Sequence, residues 1–165
     1  MNEELLDALV EHMNAEFESY YIYLSMCGYF EKESWDGYAH WMDLQAEEER
    51  EHAMKFWDHL IQRGVNPQLL DISAPKNAWE SPLDVFQDAL AHEKMITEKI
   101  EKLMDEAIKA NDHGAQNLLR WFVDEQLEEE ATVGAIVDRL KRVDNDAKGL
   151  MLIDSELAKR SDTEV

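Results

Sequence analysis

Four glutamates and one histidine stand where helices normally bury hydrocarbon. In Glu49-x-x-His52 the three-residue spacing places a carboxylate and an imidazole on one helix face. Glu16, Glu93 and Glu129 each lie near the middle of another long helical pattern, on its apolar stripe. A carboxylate in a bundle core is costly unless its charge is compensated. Carboxylates with an imidazole suit a divalent first-row metal that keeps open coordination positions. A bridging carboxylate can hold two such ions a few ångströms apart. These residues make a candidate di-metal site inside a helix bundle, with Glu49 as the bridging ligand and His52 on one ion only. A single Glu-x-x-His arises by chance in glutamate-rich helices, and a single stripe carboxylate can emerge at a helix edge or pair with a base. Four such carboxylates at matched depth carry the argument, because the stripes offer almost no Lys or Arg there.

The elements that must position them are readable from period and punctuation. A first helix starts at Asn2, a good N-cap, and runs to about Glu31. Its stripe is Leu9, Met13, Glu16, Tyr20, Leu24 (or Tyr23) and Cys27. After a turn at Ser34, Asp36 and Gly37, a second helix runs from about Gly37 to Arg63, closed by Gly64. Its stripe is Tyr38, Trp41, Gln45, Glu49, His52, Phe56 and Leu60. Val65 to Ser81 lacks helical period and contains Pro67 and Pro75. A connection this long predicts a crossover along the bundle, with the second and third helices parallel. Ser81-Pro82 opens the third helix, with stripe Val85, Ala89, Glu93, Ile96, Ile100 and Leu103. Asn111 to Gly114 turn the chain into a fourth helix, to about Val143, with stripe Leu118, Phe122, Gln126, Glu129, Val133, Ile136 and Leu140. Asp144 to Gly149 break it, and a short fifth helix ends near Arg160. The expected domain is residues 1–160, with 161–165 a frayed tail.

Composition agrees with an all-α protein. The chain has 165 residues, 45% hydrophobic and 32% charged, with only 6 Gly and 3 Pro, so breakers are few. The formal net charge is −21, which makes nucleic acid and anionic membranes poor partners and cations natural ones. The acidity serves solubility as much as cation attraction. One cysteine, Cys27, excludes an intrachain disulfide, and on its apolar face it reads as a small buried side chain. The acidic start Met1-Asn-Glu-Glu and the lack of an apolar run of about 20 residues predict a cytoplasmic protein. His12, His40, His59, His92 and His113 read as surface or cap residues.

A second acidic group comprises Glu48, beside Glu49, with Glu125 and Glu128 on the fourth helix. Spacing alone leaves two readings, a third, more exposed cation site or a wet face, and favours the wet face.

The phrases Asn14-Ala-Glu16, Tyr21-x-Tyr-Leu-Ser-Met26, Glu47-Glu-Glu49-x-x-His52, Ala91-His-Glu93 and Trp121-Phe-Val-x-Glu125-Gln-x-Glu-Glu-Glu130 run through the chain. In them the protein resembles the non-haem ferritins of bacteria and archaea, over essentially its full length. The resemblance implies a ferritin-like four-helix bundle with a short fifth helix, in a shell usually of 24 subunits. It implies iron storage with ferroxidase activity: Fe(II) is oxidised by dioxygen or peroxide and stored as ferric mineral. By position, Glu16, Glu49 and His52 would hold one iron. Glu49, Glu93 and Glu129 would hold the second, with Gln126 adjacent. Glu48, Glu125 and Glu128, with Glu129, would resemble the third iron site of the prokaryotic branch. Tyr23 matches the family's central tyrosine and Trp121 a nearby aromatic; each is either an electron donor or core packing.

Departures from neighbouring families narrow the reading. A bacterioferritin would carry a second Glu-x-x-His where this chain has Gln126-x-x-Glu129, and a haem-binding Met where it has Arg50. No haem is expected. A rubrerythrin would need four cysteines. A mini-ferritin would need N-terminal histidines that His12 alone does not supply. The rival function is a non-storage di-iron redox enzyme, of peroxidase or oxygenase type, on the same bundle.

Overall fold

The computed structural model describes residues 2–161, so most of the tail expected at 161–165 lies outside the described residues. Among the described residues five helices follow in order: α1 (Glu3–Lys32), α2 (Asp36–Gln62), α3 (Pro82–Lys109), α4 (His113–Val143) and α5 (Ala147–Leu157). α1 pairs with α2 and α3 with α4, and α5 lies across α2 and α4.

Caps set most of the boundaries. The side chains of Asn2, Ser81, Asp112 and Asp146 each accept a hydrogen bond from a first-turn amide of the helix that follows. Gly64, at φ 76°, takes the left-handed conformation just past α2, where glycine carries no Cβ penalty. α2 has no such cap of its own at Trp35. Its amides at Gly37 and Tyr38 instead donate to Asp154 Oδ1 of α5, at 2.9 and 3.0 Å. The approach is close: a Cβ at residue 37 would stand 1.7 Å from the Asp154 carbonyl oxygen. Tyr38 Oη donates to the Leu150 carbonyl at 2.8 Å and completes the attachment of α5.

The segment after Gly64 traces the crossover. Asn14 exchanges hydrogen bonds with Gln68 and Leu70, at 2.9 and 2.8 Å. Farther along α1, Ser25 Oγ donates to the Lys76 carbonyl at 2.7 Å. The linker therefore climbs α1 from its N-terminal toward its C-terminal half. α1 and α2 form a hairpin, so this returns the chain to the end at which α2 began, and α3 runs parallel to α2 as the linker length predicts.

Stripes on α2 and α3 are buried as expected, while two others are shifted by a residue. On α1 the alternative Tyr23 is the fully buried one and Leu24 is 45% exposed, while Ser19 and not Tyr20 is in the core. Near the start of α4 Leu119 is buried and Leu118 is not. Adjacent apolar residues cannot be separated by period alone; packing chooses one. The core forms two clusters. One centres on Phe30, Tyr38, Trp41 and Phe86, the other on Leu9, Phe56, Ile100 and Phe122. A layer of buried polar side chains lies between them.

Candidate metal centre

That layer holds Glu16, Glu49, His52, Glu93, Gln126 and Glu129, all 6% exposed or less, with His12, Ser19 and Gln45. Two trios form within it. Glu16, Glu49 and His52 offer ligand atoms within 4.8 Å of one another, and so do Glu49, Glu93 and Glu129. Glu49 is common to both. Glu16 comes from α1, Glu49 and His52 from α2, Glu93 from α3 and Glu129 from α4. Each helix carries its polar residue inside an apolar stripe, so burying the stripe forces the groups together.

The protein alone leaves this layer incompletely satisfied. Among the described residues, Glu16 Oε2 is buried with no hydrogen-bond partner, and the buried His52 Nδ1 stands 3.3 Å from Glu49 Oε2 without a well-formed hydrogen bond. Both belong to the first trio; the carboxylate oxygen is an acceptor as it stands, and His52 Nδ1 becomes one when the ring loses its proton to make way for a cation. The donor set of carboxylates plus one imidazole fits iron and similar divalent metals.

Supporting bonds orient the carboxylates. Tyr23 Oη donates a short hydrogen bond to Glu93 Oε1. Gln126 Nε2 donates to Glu93 Oε2 at 3.1 Å and to the Glu93 carbonyl at 3.2 Å. Gln45 Nε2 donates to Glu129 Oε2 at 2.8 Å and to Glu49 Oε1 at 3.3 Å. His12 Nε2 and Glu16 Oε1 share a hydrogen bond of 2.8 Å. The Trp121 ring packs edge-on, 5.4 Å from the His52 ring, with Lys55 Nζ above it at 4.3 Å.

Burial, then mutual repulsion, shifts the acid groups. Glu49, Glu93 and Glu129 are pushed up to about 8. Glu16 differs. Burial raises it too, but the His12 hydrogen bond and the nearby His12 and His52 charges outweigh that and leave it low. For His52 burial favours the neutral ring, yet Glu49 and Glu125 raise it well above its ordinary value. Tyr23 is held protonated by burial and by Glu93. Without metal the centre therefore retains protons at neutral pH.

The second acidic group is only partly assembled. Glu125 joins His52 and Glu129 in a third set of ligand atoms within 4.8 Å. Glu48 and Glu128 line a cavity of about 350 Å³ with Glu125 and Glu129. Glu48 is engaged by Arg160 NH2 at 2.6 Å.

Three histidines depart from the surface reading, His12 fully and His59 and His92 in part. His12 is buried, at 4% exposed, because it stands one turn before Glu16 and shares its polar layer. His92 is half-buried and bonds Ser19 Oγ at 2.7 Å, and burial lowers it to about 4. His59 is half-buried beside Arg63 and lowered by burial. His12 at i−4 from Glu16 was the available signal. Gln45 was visible as a polar residue on the α2 stripe, but its partner on α4 was not.

The ferritin family, described as a ferritin-like domain, matches residues 6–143. The chain belongs to the ferritin family. A bacterial non-heme ferritin of Staphylococcus saprophyticus is 40% identical over 161 residues, 98% of this chain and 96% of the relative. One from Bacteroides fragilis is 41% identical over 160 residues, 97% of this chain and 99% of the relative. An open-pore ferritin from the hyperthermophilic archaeon Archaeoglobus fulgidus superposes with a TM-score of 0.96 at 37% identity, covering 98% of this chain and 99% of that one. In this ferritin Arg50 is an exposed side chain paired with Glu47 at 2.5 Å, and Cys27 is a buried free thiol.

Proposed function

We propose that this ferritin oxidises Fe(II) at the buried carboxylate centre and stores the ferric product inside a multi-subunit shell. The observation that carries the reading is the shared position of Glu49 in two buried trios, one with a partnerless carboxylate oxygen on Glu16. Glu16, Glu49 and His52 bind one Fe(II). Glu49, Glu93 and Glu129 bind the other, with Gln126 holding Glu93. Glu48, Glu125 and Glu128, with Glu129, receive a third iron. No haem takes part, and the curated relatives named above are non-heme proteins.

The electron count is simple. Two Fe(II) ions give up one electron each, and dioxygen takes both with two protons to become hydrogen peroxide. With peroxide as oxidant, the same two electrons and two protons cleave the O–O bond to two waters. Glu49, Glu93 and Glu129 hold protons at neutral pH and release them as metal binds. Tyr23 bonds Glu93 and Trp121 packs against His52, so each is either an electron donor to the centre or core packing around it.

The assembly is a homo-oligomer of 24 subunits in the cytoplasm, each chain one domain over residues 1–160 with a tail at 161–165. Exposed Tyr21 and Leu24 on α1, and Met151 and Leu152 on α5, supply apolar surface for subunit contacts. Twenty-four chains at −21 each give the shell a formal charge of about −500, which concentrates Fe(II) and repels nucleic acid and anionic membranes. Among the described residues no helix is long and apolar enough to cross a membrane.

Aerobic Fe(II) added in large excess to the apoprotein tests this. Fast ferric absorbance, with many irons per chain retained in a particle far above 19.2 kDa, is the expected result. Oxidation stopping at two or three irons per chain on a small particle would overturn storage and favour the di-iron redox enzyme.

A further inference from the structure

Past the end of α5, Arg160 turns its guanidinium inward to the acidic cavity beside the metal centre. NH2 donates to Glu48 Oε2 at 2.6 Å, and NH1 to Gln45 Oε1 at 3.0 Å and the Trp41 carbonyl at 3.3 Å. The guanidinium carbon lies 4.6 Å from the Trp41 ring centroid. The Arg160 and Glu48 side chains are only 13% and 16% exposed, so this pair is far drier than a surface ion pair. His40 Nε2 meets the Arg160 carbonyl at 2.7 Å and fastens the backbone there. Arg160 and Glu48 both line two cavities. One is further bounded by Glu125, Glu128 and Glu129, and the other by Asp43, Glu47 and Glu51.

We propose that Arg160 is a built-in, displaceable cation at the third iron position, which sets that position's affinity. The proposal rests on the reading of Glu48, Glu125 and Glu128 as a third iron site. The physical reason is competition. Glu48 cannot give the same oxygen to a guanidinium and to a metal ion, and two cations in one cavity repel. Metal-free, Arg160 neutralises Glu48. A third ion must draw Glu48 away from it and loosen the end of α5. The same fork reaches the centre itself. Gln45 accepts from Arg160 and donates to Glu129, so releasing Arg160 frees the amide that orients Glu129. Arg160 thus acts as a positioning residue that links filling of the third site to the ligand geometry of the second.

The test is calorimetric titration of the assembled apoprotein with Zn(II), which binds without redox change, in wild type, Arg160→Ala, Arg160→Lys and Glu48→Gln. In Arg160→Ala the third ion is expected to bind about tenfold more tightly, with the first two steps changed by much less. Arg160→Lys keeps the charge without the fork and falls between. Glu48→Gln loses the third ion. If Glu48→Gln removes the third ion and Arg160→Ala leaves its affinity unchanged, the proposal fails and the third site stands. If Glu48→Gln changes nothing, the third-site reading fails and the proposal with it. Equal weakening of all three steps in Arg160→Ala, with a lowered melting temperature, makes Arg160 a mere fastener of α5 and also overturns it.

Discussion

Replacing Glu49 by glutamine separates the cost of the metal site from its use. Glu49 is 2% exposed and lies among Glu16, Glu93 and Glu129. Burial, then the charges of Glu16 and Glu129, push its carboxyl up to about 8. A group with a raised folded-state pKa gives stability that is complete below its ordinary value of 4.5 and is lost as pH rises through about 8. Glutamine has the same shape and no charge to bury. The metal-free Glu49→Gln protein should therefore melt at or above the wild-type temperature, with the difference growing from pH 5 to pH 8. Function should move the opposite way. The substitution takes one carboxylate from both trios and leaves each with two donors. Loss of a mere supporting residue typically costs 10–100-fold in affinity or activity, so a shared ligand should cost at least about 100-fold. Metal stabilisation should vanish as well. At 100 times the dissociation constant a ligand adds about 2.7 kcal/mol, which for a chain of this size is roughly 5–10 °C. Stopped-flow ferric absorbance and melting with and without Zn(II) read both effects. Wild-type oxidation rates in Glu49→Gln, or a metal-free variant several kcal/mol less stable, would refute the reasoning.

Further outcomes follow from the same structure. Because Glu49, Glu93 and Glu129 sit near 8 in the metal-free centre, apparent Zn(II) affinity should climb between about pH 6 and pH 8 and flatten above, with protons released on binding; calorimetry in buffers of different ionisation enthalpy counts them, and no release at pH 7 would contradict the assignment. Asp112 caps α4 at 3.0 Å and takes both guanidinium nitrogens of Arg63 at 2.8 and 2.7 Å, which hold its carboxyl well below the usual range. With Arg63 31% exposed, Asp112→Ala should cost about 1–3 kcal/mol in chemical unfolding and leave the initial oxidation rate near wild type. Gly37→Ala should dislodge α5, since its Cβ would meet the Asp154 backbone; hydrogen exchange over residues 147–157 should rise while exchange in α3 stays slow.

Much of the centre was legible because a buried helix stripe has a strict period and a carboxylate breaks it. Glu16, Glu49, His52, Glu93 and Glu129 stood out on that ground, and the helix caps at Asn2, Ser81 and Gly64 located the elements that carry them. Partners across helices were not legible. His12 is on the page as a neighbour of Glu16, but only its burial makes it a hydrogen-bonding group and not a surface imidazole. The same holds for Gln45, whose contact lies 84 residues away in Glu129.

What the chain determined by itself is local: where helices start and stop, which face of each is apolar, and which polar residues interrupt that face. These follow from short-range backbone sterics and from a period of 3.6. The tertiary structure decided everything that depends on distance between elements. It selected Tyr23 over Leu24 for the core, placed Asp154 as the cap that α2 lacks, and brought Arg160 to Glu48. No local rule specifies such pairs, because each forms only after the apolar stripes have docked and the remaining polar atoms seek the nearest partner that water no longer supplies.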